Sequence, residues 1–187
     1  MKYIISCLFV LFYVCVGCGG SGDRLSDTLS VMQSSPVNIS FKEMSCWIND
    51  SLIDKRPWEQ AKIKLVVYYD STKCSECTLK QMYLWEDFVK LEEKYDNGFC
   101  VFFIFQKKVK ESSRHLASFF HLSELNHPIY IDSKNVFEKM NTHIPLSDSK
   151  FQIFLLDKKN NVHFVGNPLF DFNIEERMLY LINKELS

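Results

Sequence analysis

Apolar positions fall along this chain in two kinds of block. Continuous β-branched and aromatic runs at 63–69, 99–105, 128–132 and 151–156 predict strands covered on both faces. Residues 157–161 form a polar turn, and 162–165 return as the second strand of a hairpin. Between these runs the apolar spacing becomes helical. Leu84, Phe88, Leu91 and Tyr95 share one face of a helix predicted over 77–95, which Asp96-Asn97-Gly98 stops, with Gly98 as a left-handed cap. Further helices are predicted over 110–121 and 135–140. A last one is opened by Asn173 and Glu176 as a capping box and carries Ile174, Met178, Leu181 and Ile182 inward. Residues 37–41 alternate as a short edge strand would, and 46–58 show no clear period.

From residue 63 the order is strand, helix, strand, helix, strand, helix, strand, strand, helix. That order predicts an α/β fold: parallel pairing through right-handed crossovers, an antiparallel closing hairpin, and helices on both faces of a mixed sheet.

The chain start has a different pattern. Lys2 precedes an apolar run over 3–16 broken only by Ser6, shorter than the roughly 20 residues a membrane span needs and suited to the core of a secretory signal. It ends at Cys15-Val16-Gly17-Cys18 and a Gly/Ser stretch. A small residue before a cysteine, followed by a polar stretch, resembles the cleavage box of bacterial lipoproteins, with Cys15 where that box usually has an aliphatic residue. The resemblance implies a signal peptide over 1–17, a lipidated Cys18 with a flexible tether to residue 36, and one globular domain over 37–187. It places the domain outside the cytoplasm, facing the periplasm from a membrane anchor.

Charge narrows the partners. With 22 Lys and Arg against 23 Asp and Glu, the net charge of -1 gives no basic footprint for nucleic acid. Sixteen Phe and eight Tyr supply a substantial core. Of seven cysteines, Cys7, Cys15 and Cys18 belong to the leading segment. The remaining Cys46, Cys74, Cys77 and Cys100 are too few for a disulfide scaffold.

The pair Cys74-Ser75-Glu76-Cys77 carries the candidate chemistry. It falls between a buried strand and the start of a helix, where backbone N–H groups and the helix dipole favour a thiolate, the reactive form. Cys74 at the exposed start is the attacking sulfur and Cys77 the resolving one. Lys73 lowers and Glu76 raises the Cys74 pKa. With its strand-and-helix insertion and the closing Phe154-Leu155-Leu156-Asp157 hairpin, this arrangement is similar to the thioredoxin superfamily, nearest the TlpA-like envelope thiol–disulfide oxidoreductases of Bacteroidetes-type bacteria.

The resemblance covers roughly 63–186. It implies exchange with protein thiols and disulfides of the cell envelope and no cofactor. In that alignment Lys73 replaces a Trp, Ser75-Glu76 a Pro-containing dipeptide, Tyr68 a buried Asp, and Phe151 the proline that faces the dithiol. By this resemblance Lys73, Ser75, Glu76 and Phe151 are the substrate-contacting positions.

Two other classes compete with an oxidoreductase. A redox-inert binding or assembly module on the same fold would keep Cys74–Cys77 only as a surface disulfide. A copper or zinc carrier would use the two thiolates with His143, although copper carriers of this fold space their cysteines CxxxC. A peroxidase lacks its Thr-x-x-Cys pattern here. Cys100 reads as a small buried hydrophobe that Cys46 could oxidise with. His143, His115, His121, His127 and His163 read as loop or surface residues, and Trp47, Trp58 and Trp85 as packing.

Overall fold

In the computed structural model, residues 22–70, 81–96, 98–108, 112–121 and 125–187 are described. They build one seven-stranded mixed sheet in the order β2-β1-β5-β4-β3-β6-β7. β3 (Ile63–Tyr69), β4 (Phe99–Gln106) and β5 (Ile129–Asp132) run parallel in the centre. β6 (Ile153–Leu156) lies antiparallel to β3, and β7 (Val162–Val165) closes the hairpin. On the other side β1 (Ser45–Ile48) is antiparallel to β5, and β2 (Ser51–Leu52) turns back on β1 through Asn49 in a left-handed conformation, φ 52°.

Period-two alternation divides the side chains of the sheet into two cores. Leu65, Val67, Val101, Phe103, Phe105, Ile129 and Leu155 face α2 (Glu86–Lys94), α3 (Ser113–His121) and α5 (Phe172–Leu186), which bury Phe88, Leu116, Met178, Leu181 and Ile182 against them. On the opposite face, Val66, Tyr68, Phe102, Ile104, Tyr130 and Phe154 lie under Met32 of α1 (Gly22–Met32) and Phe137 of α4 (Val136–Met140). The mixed sheet covered on both faces is the architecture expected from the strand order. Among the described residues, no helix is long and apolar enough to cross a membrane.

Local differences from the sequence reading have identifiable causes. The stretch expected to be a tether is helical over 22–32. Met32 is fully buried and Leu29 packs beside it, while Thr28 and Ser30 return their hydroxyls to the carbonyls of Arg24 and Ser26. The hydroxyl-rich composition concealed this inward pair. Residues 37–41 are not a strand. Asn141 replaces a neighbouring strand there, accepting from the Asn38 N–H at 2.7 Å and donating to the Asn38 carbonyl at 2.9 Å. Phe41 then starts a 3-10 turn and packs on Phe102 and Tyr130.

Other differences lie at element ends. Phe151, read as the first residue of a strand, ends a 3-10 turn over Ser149–Phe151 whose Lys150 N–H is accepted by Asp148, and β6 begins at Ile153. Asp171, not Asn173, caps α5, accepting from the N–H groups of Asn173 and Ile174. After α2 the left-handed residue is Asp96, φ 45°. Gly98 serves a different need, since a Cβ there would lie 2.9 Å from the Tyr95 carbonyl oxygen.

Candidate functional site

Cys74 and Cys77, with Lys73, Ser75 and Glu76, lie outside the described residues, as does Cys18. The frame on either side of 71–80 is described. β3 delivers the chain to Tyr69 and Asp70 at its C-terminal end, and the chain resumes at Gln81 with a 3-10 turn over Met82–Trp85 that runs into α2. The C-terminal ends of parallel strands in open α/β sheets are where ligand clefts form.

These two flanks are tied together. Trp85 donates from Nε1 to the Tyr69 hydroxyl at 3.2 Å, and the Trp85 ring meets Phe88 and Phe103 edge-on. Tyr69 stacks on Phe105 with centroids 4.6 Å apart. Burial pushes the Tyr69 phenol well above its ordinary range, so the hydroxyl stays protonated near neutral pH.

A third wall comes from the approach to β6. The Tyr68 N–H donates to the Gln152 carbonyl at 2.8 Å. Gln152 is itself buried, and its Nε2 donates to Asp70 Oδ2 at 2.6 Å and to the Leu146 carbonyl at 2.7 Å. One amide thus holds the exit of β3 and the entry of β6 in fixed relation. Phe151 points away from this work, with its ring buried in the second core. What the loop offers to the cleft is Ser149, Lys150, Gln152 and Ile153.

Together the three walls enclose a cleft of about 370 Å³, which Leu169 and Phe170 border on the hairpin side. Phe170 is 76% exposed, an apolar ring presented to solvent at the rim. Tyr68 also lines the cleft. Its buried hydroxyl has no hydrogen-bond partner among the described residues, and burial with nearby Glu138, Asp132 and Asp70 pushes its phenol far up.

The remaining cysteines and histidines are placed as follows. Cys46 and Cys100 are buried free thiols, so the pairing considered from sequence is not formed. Burial raises the Cys46 thiol to about 11. Cys100 is driven up by burial and then by the Glu92 carboxylate. His143, read as solvated, has a buried Nε2 with no partner among the described residues. His127, read as a surface or loop residue, is 3% exposed, and its Nε2 lies 2.9 Å from Glu92 Oε1. No local spacing signals that contact, because α2 and the lead into β5 supply its members. Trp85, Trp47 and Trp58 are packing residues, and Trp58 donates to the Tyr130 hydroxyl at 2.7 Å.

No family model matches the chain. No curated protein matches it either. Solved structures do. A thioredoxin-like protein solved in its oxidized form superposes with a TM-score of 0.51 at 13% identity, covering 80% of this chain and 95% of that one. A cysteine-to-serine mutant of PrxQ from Xylella fastidiosa gives a TM-score of 0.50 at 12% identity, covering 80% of this chain and 94% of that one.

Proposed function

We propose that this chain, whose fold is thioredoxin-like, is an envelope-anchored thiol–disulfide oxidoreductase acting through Cys74 and Cys77. The observation that carries the reading is the cleft at the C-terminal end of β3. Its walls come from both flanks of the CxxC segment, Tyr69 before it and Gln81 and Trp85 after it. The groove between those flanks has an apolar rim at Phe170 and a cationic side chain at Lys150.

In the reaction, the Cys74 thiolate attacks one sulfur of a partner disulfide. A mixed disulfide forms and one partner thiolate leaves. The Cys77 thiolate then attacks Cys74, the second partner thiol leaves, and the Cys74–Cys77 disulfide forms. The partner gains two electrons and the dithiol loses two, and the reverse sequence oxidises a partner dithiol. Lipid at Cys18 confines the exchange to a membrane surface facing the periplasm.

Trapping tests this reading. Cys77→Ala removes the resolving sulfur and accumulates mixed disulfides through Cys74, which non-reducing electrophoresis resolves. A chain that neither traps a partner nor turns over a disulfide substrate is instead a binding module on the same scaffold. Palmitate labelling of the full chain, lost in Cys18→Ser, tests the anchor.

A further inference from the structure

A second constellation of donors lies at the opposite end of the sheet. β3 and β4 run parallel in register, with Lys64 beside Cys100 at one end and Tyr69 beside Phe105 at the cleft end. At the Cys100 end, β4 has no β5 neighbour, because that pairing starts only at Phe103. Glu92 of α2 and His127 close on this open edge. Glu92 Oε1 accepts from the Val101 N–H at 2.7 Å and lies 2.9 Å from His127 Nε2. One ligating atom each from Glu92, Cys100 and His127 falls within 4.8 Å of the others.

The imidazole orientation is informative. His127 Nδ1 sits 3.0 Å from the Pro128 carbonyl oxygen. A carbonyl can only accept, so Nδ1 carries a proton; the Glu92 carboxylate is an acceptor too, so Nε2 either donates to it or, with a metal ion between them, presents its lone pair. Nε2 faces a carboxylate oxygen and, close by, a sulfur. Each of the three groups can give a lone pair to a metal ion between them, once the thiol proton that Cys100 directs at the Val101 carbonyl is displaced. A dication serves all three. Histidines that ligate a metal commonly donate their other ring N–H to a backbone carbonyl, as Nδ1 does here.

We propose that Glu92, Cys100 and His127 form a zinc site, separate from the dithiol, with Cys100 Sγ, His127 Nε2 and a Glu92 carboxylate oxygen as ligands. Sulfur, imidazole and carboxylate suit Zn²⁺, and three protein ligands leave a fourth tetrahedral position for water. Glu92 is the only one of the three not fully buried, so the ion enters and the water sits on its side. Binding displaces the Cys100 thiol proton, and the thiolate and carboxylate together balance the charge of the ion. The site pins α2 to the start of β4 and to the loop before β5.

The test uses the full chain with Cys74→Ser and Cys77→Ser, which removes the competing dithiol. It is titrated with Zn²⁺ alone and, in parallel, with Co²⁺ as a spectroscopic probe. Saturable binding of a single equivalent is expected, with a sulfur-to-cobalt charge-transfer band that is lost in Cys100→Ser and kept in Cys46→Ser. His127→Gln and Glu92→Gln each weaken Zn²⁺ by more than about tenfold, the least that loss of even an orienting partner costs. Absence of saturable binding, or a band and affinity unchanged by Cys100→Ser, overturns the proposal. If Cys100→Ser does not fold, His127→Gln decides: it must weaken Co²⁺ and Zn²⁺ binding by more than about tenfold, and an unchanged affinity overturns the proposal. Redox trapping through Cys74 is scored separately in the chain that retains the dithiol, so the two readings fail independently.

Discussion

Gln152 donates from Nε2 to Asp70 Oδ2 at 2.6 Å, fastening the loop before β6 to the residue that leads out of β3. The same amide nitrogen also donates to the Leu146 carbonyl. Both partners are acceptors, so a side chain without an N–H loses both hydrogen bonds, the one to Leu146 in a buried setting. Gln152→Leu is expected to lower unfolding free energy by about 1–3 kcal/mol, the cost of orphaned buried acceptors. Urea denaturation measures this. A change below about 0.5 kcal/mol would show that water replaces the amide.

Asn141 does for the amino-terminal segment what Gln152 does for the cleft. Fully buried, it exchanges two hydrogen bonds with Asn38 and donates to the Phe137 carbonyl at 2.7 Å. Asn141→Ala is predicted to cost about 2–3 kcal/mol. It also loosens α1, which is otherwise held by Met32, Leu29 and a Gln33 contact to the Val162 carbonyl. Limited proteolysis should cut within 22–44 faster in the variant than in the parent.

Helix α5 supplies three buried residues to the first core, and its first turn depends on Asp171. Asp171→Ala should cost about 1 kcal/mol, within the range for lost N-caps. Asn173→Ala, at the position the sequence pattern favoured, should change stability by less than about 0.5 kcal/mol. Equal effects in thermal melts would mean that the cap is shared.

Cys46 makes stability fall at alkaline pH. The unfolded chain releases its thiol proton near 9.0, whereas the folded chain holds it to about 11. Below pH 9 the neutral thiol costs nothing in either state. Between 9 and 11 the unfolded state alone ionises and is favoured, so folding loses about 2–3 kcal/mol from this group. The buried phenols of Tyr68, Tyr69 and Tyr130 add in the same direction from about pH 10 upward. Cys46→Ala should flatten the decline between pH 9 and 11 in urea titrations. An unchanged slope would assign the effect to Cys100, whose buried thiol is also raised, and to the tyrosines.

The sequence by itself determined the central strands, the helices between them and the closing hairpin. Each of those is written locally, the central strands as continuous apolar runs that burial on both faces of the sheet reinforces and the helices in a 3.6-residue period. It also set the CxxC motif between a buried strand and a helix, because spacing along the chain is enough to recognise it. Only the tertiary structure decided what depends on residues distant in sequence. β1 became a strand because β5 offered it a free ladder, and α1 became a helix because the second core had room for Met32. Glu92, Cys100 and His127 met because α2 lies across the open end of β4. Their contacts arise from chain crossings whose partners lie up to 35 residues apart, and no periodicity within a segment encodes such a meeting.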